Sequence, residues 1–210
     1  PGRTWNEPEK DKQLADFFYR TKVTLEVEGF DSPVDYLIRE QYLAAPQYRS
    51  IKVDSDYLTV EDLDDYAETI EISARVLEKL ADDELRTMAI MRQVEDLASR
   101  HVRIIVFATT VQHAEQLALI LSSRGLQVHS LTGKTPDSER KRIVRWYKER
   151  SDDLRVMTNF GILTTGFDAP QTSAALIARP TKSLVLYSQM VGRATRGIRA
   201  GGNASAEIVT

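Results

Sequence analysis

Apolar positions along the chain change their period close to residue 100. Before that point they recur mainly at helical intervals. Leu14, Phe17 and Phe18 are spaced as one face of a helix. Lys22-Val23-Thr24-Leu25-Glu26-Val27 alternates with the two-residue period of a half-buried strand. Pro33-Val34-Asp35-Tyr36-Leu37-Ile38, followed by Tyr42-Leu43, predicts a short helix with Pro33 in its first turn. Ile70, Ile72, Val76, Leu77 and Leu80, then Leu85, Met88, Met91, Val94 and Leu97, predict two amphipathic helices broken near Asp82-Asp83.

Beyond residue 100 short apolar runs alternate with helical stretches. Val102–Phe107 is a continuous apolar run, as expected of a strand covered on both faces. Val111–Arg124 follows as a helix with Val111, Ala114, Leu117, Ala118 and Leu121 on one side, stopped by Gly125. Leu126–Leu131 is a second strand. Pro136–Arg150 is a basic helix with Ile143, Trp146 and Tyr147 turned inward. Leu154–Thr158 and Ala174–Ala178 are further strands, Ser183–Thr195 a last helix, and Ala206–Val209 another strand. This alternation predicts an α/β fold: a parallel sheet with helices on both faces, preceded by a mainly helical N-terminal segment.

Charge sharpens the division. Residues 1–100 carry 13 Lys/Arg against 23 Asp/Glu, whereas residues 101–210 carry 15 against 8, although the whole chain stands at only −3. A basic C-terminal half points to a polyanionic partner. Residues 54–84 hold 12 acidic side chains opposed only by Arg75 and Lys79, which reads as the solvated face of ordered helices. The chain has no cysteine, which removes disulfides and thiolate metal sites and fits a reducing cytosol. No apolar run approaches the ~20 residues of a membrane span.

In a parallel sheet, ligands gather at the carboxyl ends of the strands. Four loops are expected there: Ala108-Thr109-Thr110, Thr132-Gly133-Lys134-Thr135, Asn159–Pro170 and Arg179-Pro180-Thr181-Lys182. Hydroxyls, glycines and cations dominate them, chemistry suited to phosphate oxygens. Gly133-Lys134-Thr135 has the ending of a P-loop, but the glycine that motif needs five residues earlier is Val128, inside a strand. Contact with one backbone phosphate, aided by Arg140, is the better reading; a plain turn with Thr135 capping the next helix is the other. In the loop from Asn159 to Pro170, Gly166 permits a sharp path, Asp168 can accept from a ribose hydroxyl, and Thr164 and Thr165 can donate to phosphate. Arg193 and Arg196 stand three apart, so a helix would present both planar guanidiniums on one face, suited to gripping phosphate. Gly192 beside them would admit a close approach.

Together these segments resemble the late motifs of superfamily-two helicases and translocases. Thr164-Thr165-Gly166-Phe167-Asp168 is similar to the fifth motif, and Gln189-Met190-Val191-Gly192-Arg193-Ala194-Thr195-Arg196 matches the sixth, Gln-x-x-Gly-Arg-x-x-Arg. Ile105-Val106-Phe107-Ala108-Thr109 resembles the fourth, which opens the second RecA-like domain. Pro1-Gly2-Arg3 resembles the residues just after the third, as if the chain were cut there from a longer one. Leu163–Pro170 shares the phrase Leu-Thr-Thr-Gly-Phe-Asp-Ala-Pro with RadD-type DNA-dependent ATPases and restriction-enzyme motor subunits of the DEAD/DEAH-box kind. Thr158-Asn159 departs from the Thr-Asp pair that opens the fifth motif in many relatives.

The resemblance implies roles. Arg193 and Arg196 would act as arginine fingers on the γ-phosphate of ATP, placed by Gln189. Asp168 and Gly166 would contact the nucleotide ribose. Thr109, Thr132, Gly133, Arg140, Asn159, Thr164 and Thr165 would touch a nucleic-acid backbone, DNA in preference to RNA. It implies no metal ligand here: Mg²⁺ and most ATP contacts would belong to a first RecA-like domain carrying the P-loop, absent from these 210 residues. The implied organisation is a connector over 1–50, an acidic helical segment over 51–100 and the second motor domain over 101–210, from a cytoplasmic bacterial or phage protein. A standalone nucleic-acid-binding or adaptor domain and a Rossmann-like enzyme are the alternatives, though no Gly-x-Gly-x-x-Gly follows any predicted strand.

Overall fold

The computed structural model describes residues 8–17, 19–21, 26–53, 58–62, 64, 72–162 and 167–210. Its helices are α1 (Pro8–Phe17), α2 (Pro33–Arg39), α3 (Ala74–Asp82), α4 (Glu84–Ala98), α5 (Val111–Ser123), α6 (Asp137–Lys148) and α7 (Leu184–Val191). The strands are β1 (Ala45–Arg49), β2 (Arg103–Phe107), β3 (Val128–Leu131), β4 (Arg155–Asn159), β5 (Ala174–Ile177) and β6 (Ser205–Val209). All six form one sheet in the order β1-β6-β5-β2-β4-β3. Every pairing is parallel, so the architecture is a RecA-like α/β fold.

Burial on both faces follows from the strand sequences. Alternate residues of β2 enter different cores: Ile104 and Val106 pack with α4 and α5, while Ile105 and Phe107 pack with α6 and α7. Each such aliphatic side chain removed from water contributes about 1.5–3 kcal/mol. Hydrophobic alternation alone would leave one face wet, and these continuous apolar runs exclude that.

Several expectations are altered by the three-dimensional arrangement. β1 lacks an apolar run and was not anticipated; it joins by pairing Ala45–Arg49 with Ser205–Val209. Ala45 donates to Ala204 and Ile51 to Thr210, so Pro46, which has no N–H, faces the free edge and blunts it. α2 ends at Arg39, earlier than expected, and Gln41 turns the chain with φ +61. The strand predicted over 22–27 falls largely on residues outside those described, as does Phe18, while Glu26 and Val27 belong to no strand. Two helices do meet at Asp83, which caps α4 by accepting from Arg86 N–H. The phase of α4 differs from expectation: Thr87, Ile90, Met91, Val94 and Leu97 are buried, whereas Leu85 and Met88 are exposed. Trp146 is only half-buried, edge-on to His129 at 4.6 Å.

The last helix is also shorter than its periodicity predicts. Ser183 caps it, and it stops at Val191 with Gly192 as its C-cap. The following backbone is drawn away by an antiparallel bridge between Leu43 and Arg196. Ala44 N–H donates to Thr195 O at 3.1 Å and Gly197 N–H to Tyr42 O at 3.0 Å. Arg193 and Arg196 therefore leave from a turn and a bridge, not from one helical face.

Buried polar groups knit the elements. Arg103, at the start of β2, is fully buried; its Nε donates to Tyr147 O at 3.0 Å and Nη2 to Glu149 O at 2.6 Å, a cation set on carbonyls at the end of α6. At the other end of β2, Thr109 N–H donates to His113 Nδ1 at 3.3 Å. His113 Nε2 then lies 3.3 Å from Thr87 Oγ1, to which a neutral ring in this tautomer donates. Burial, with Arg86 nearby, pushes the His113 imidazole down to about 4.

Two outcomes follow for stability. A Cβ on Gly197 would stand 2.2 Å from Gln41 O, so Gly197→Ala is expected to lower the urea midpoint by the equivalent of about 1–3 kcal/mol. Gly133→Ala, with nothing within 4 Å, should stay within about 0.5 kcal/mol; equal losses at both sites would refute the close-approach account. His113 stays neutral in the folded chain while the unfolded chain protonates it below about 6.5. Its contribution is thus complete above that pH and falls by up to about 3 kcal/mol as pH drops towards 4. Urea titrations across this window should show a shallower pH slope for His113→Gln; identical slopes would reject the assignment.

Candidate functional site

Because all strands run one way, the loops after β2, β3, β4 and β5 leave the same edge of the sheet. The four loops named above begin there, the third being described only at 159–162 and 167–170. Their side chains, however, are not equally available. Thr109 and Thr132 are buried, at 0% and 1% exposure. The Thr109 hydroxyl donates to Ala178 O at 3.3 Å and accepts from Arg86 Nη1 at 3.1 Å. Thr132 Oγ1 accepts from Lys134 N–H, and Thr132 N–H donates to Thr135 Oγ1. Thr135 therefore closes its own turn; Pro136 occupies the N-cap position of α6, with no side-chain cap. Gly133 and Lys134 form the exposed tip, and half-buried Arg140 leans back to Thr135 O at 3.3 Å. Asn159 is fully buried, its Nδ2 donating to Val106 O at 3.1 Å. Thr164, Thr165 and Gly166 lie outside the described residues. Exposed or half-buried cations at this edge include Lys134, Arg140, Lys182 and Arg179, which stacks over Phe160 at 4.7 Å.

A second cluster forms beside α7. Arg196 Nε donates to Asp168 Oδ1 at 3.1 Å, and Arg193 Nη1 donates to Phe167 O. Residues from two segments distant in sequence thereby converge: Phe167 and Asp168 from the loop before β5, Arg193 and Arg196 from the turn after α7. Asp168 is exposed and Arg193 half-buried. Partial desolvation, with Arg196 nearby, lowers the Arg193 pKa, and Asp168 opposes that shift. Two guanidiniums beside one carboxylate leave a net positive site, fitted to an anion. Gln189 is half-buried near the end of α7, one turn before Arg193.

Asp168 also borders a cleft of about 280 Å³ lined by Arg103, Tyr147, Lys148 and Ala169–Thr172. Among the described residues, no group of three or more His, Asp or Glu side chains could hold a metal ion. Among them too, no helix is long and apolar enough to cross a membrane.

Sequence reasoning missed two contributors. Segment 41–44 anchors the arginine turn through backbone bonds, which leave no trace in side-chain pattern. Arg86 did leave one: it stands four residues before Ile90 and eight before Val94, a cation on the stripe that α4 buries. It donates through Nη1 to Leu80 O at 3.2 Å and Thr109 Oγ1 at 3.1 Å, and through Nη2 to Ala178 O.

Known proteins resemble this chain in sequence and fold. The chain is 27% identical over 161 residues to IRC3 of Saccharomyces cerevisiae, by name an ATP-dependent helicase, covering 76% of this chain and 22% of that protein. It spans about a fifth to a third of the length of the curated relatives it matches. Among solved structures, a fragment of an HsdR-type subunit of a type I restriction enzyme from Vibrio vulnificus YJ016 superposes with a TM-score of 0.69. The sequences are 20% identical, and the match covers 96% of this chain and 37% of that one. The ATP-dependent type ISP restriction-modification enzyme LlaBIII, bound to DNA, gives 0.55 at 16% identity, with coverage of 82% and 12%. Such identities speak to fold alone. The family model of the helicase conserved C-terminal domain matches residues 86–197, from α4 through the arginine turn and over half the chain. On that match, and with the RecA-like sheet beneath it, the chain belongs to the helicase conserved C-terminal domain family of superfamily two.

Proposed function

We propose that this chain is the second motor domain of an ATP-dependent helicase or translocase that tracks a nucleic-acid strand, DNA in preference to RNA. The observation that carries the reading is the convergence of Arg193, Arg196 and Asp168, the residues expected at a nucleotide, in one net-positive cluster. Among the described residues, the Arg196 side chain is held by a partly exposed ion pair with Asp168, worth at most about 1 kcal/mol. A polyphosphate brought against this face by a P-loop domain can displace that carboxylate, which would then be available to a ribose hydroxyl. Arg193 and Arg196 would stabilise charge on the γ-phosphoryl group as it transfers to water. Mg²⁺ would be held outside the described residues and would supply charge neutralisation at the phosphates.

The strand would run along the carboxyl edge of the sheet, past Thr109, Thr132 and the exposed tip at Gly133, with Lys134 and Arg179 supplying charge. Arg140, which leans towards that edge, and the loop carrying Thr164 and Thr165 would complete the path. Such contacts position a backbone without reading its sequence. Asn159 would act from inside, holding the end of β4. LlaBIII, similar in fold, is bound to DNA, which supports the choice of polyanion.

Mixed with ATP and single-stranded DNA, the chain by itself should show no turnover above blank. In the longer protein that carries a P-loop, Arg193→Ala should lower kcat by about 10³-fold or more while strand binding persists. Turnover that survives Arg193→Ala and Arg196→Ala in that protein would reject the finger assignment.

A further inference from the structure

The connections leave β2 and β5 in opposite directions. β2 leads through α5, on one face, to β3; β5 leads through α7, on the other, to β6. Neighbouring strands that part this way open a crevice at their carboxyl ends, where ligands of open α/β sheets usually lodge. Here that crevice is filled from within. The Arg86 guanidinium bonds Thr109 Oγ1, just past β2, and the carbonyl of Ala178, just past β5. A third bond, to Leu80 O, ties the same group to the end of α3. Thr109 is gripped further by His113, whose Nδ1 accepts from its N–H at 3.3 Å.

An apolar side chain would fill a core position on α4 at a lower desolvation cost than a guanidinium. What an apolar group cannot do is hold a carbonyl and a hydroxyl of two different loops at fixed separation. The planar fork of arginine can, because its donors diverge at set angles; a lysine ammonium reaches as a single point.

From this juxtaposition we infer that Arg86 is a positioning residue for strand binding: it sets the separation of the 108–110 and 179–182 loops and makes the α3–α4 pair part of the nucleic-acid interface. The inference rests on the strand path proposed above. It also gives the helical segment a role: any shift of α3 or α4 would be transmitted to both loops through one side chain.

The test uses this chain with a fluorescent dT20 oligonucleotide, reading anisotropy at two salt concentrations and amide hydrogen exchange in parallel. Arg86→Lys keeps the charge and loses the fork. It should weaken binding about tenfold with an unchanged salt slope, since the number of phosphate contacts is preserved. Exchange should accelerate at 108–110, 179 and 181–182 but not in β3, β4 or α5. Affinity within twofold of the parent chain would overturn the inference, and so would faster exchange spread evenly over the sheet, the mark of a brace alone. Should Arg86→Lys fail to fold, Thr109→Val removes one acceptor of the same tether and should weaken binding in the same sense; unchanged affinity there would likewise overturn it. A parent chain that fails to bind dT20 at all would instead remove the strand path itself, and this inference with it.

Discussion

Six parallel strands impose one geometric condition: every strand delivers its carboxyl end to the same edge. Four of them pass directly into loops of hydroxyl, glycine and cationic residues, so a polar rim forms above a core of β-branched and aliphatic side chains. The condition also sets the cost of the fold. Both faces must be covered, and α4 and α5 on one side and α6 and α7 on the other provide that cover. Polar groups trapped beneath the rim must find partners in the protein. Thr109, His113 and Arg86 do so with one another, and that is why the Thr109 hydroxyl is turned inward.

The arginine cluster obeys a different constraint. Its two guanidiniums are placed by a turn whose backbone is pinned to residues 41–44, which lie just before β1. Close backbone approach makes this possible, and glycine makes the approach possible: a Cβ on Gly197 would overlap Gln41 O and one on Gly202 would overlap Arg196 O. The stretch preceding the sheet and the arginine turn are therefore bonded to each other through their backbones.

Much of this was legible in the residues themselves. The β-α alternation after residue 100, the acidic pair of helices broken at Asp83, and the segments around Asp168 and Arg193 are local patterns, and local patterns survive in a linear string. The acidic stretch is less plainly a solvated face than it reads, since Asp62 is fully buried and meets Lys79 at 2.6 Å and Arg75 at 3.2 Å. β1 was invisible because an edge strand with a proline and exposed polar residues has no hydrophobic run to announce it.

The sequence alone determined the fold class, the edge at which the polar loops gather and the motif spacing around Arg193 and Arg196, because periodicity and motif spacing are set by near neighbours. Tertiary structure decided the rest. It ended the last helix at Val191, since backbone bonds to Tyr42 and Ala44 outweigh the helical periodicity of the residues beyond it. It turned α4 so that Leu85 and Met88 face water, and it withdrew Thr109, Thr132 and Asn159 into the interior. It also set Arg86 in the crevice between β2 and β5. Each of these outcomes depends on which distant segments come into contact, a property of the packed sheet that no single stretch of the chain contains.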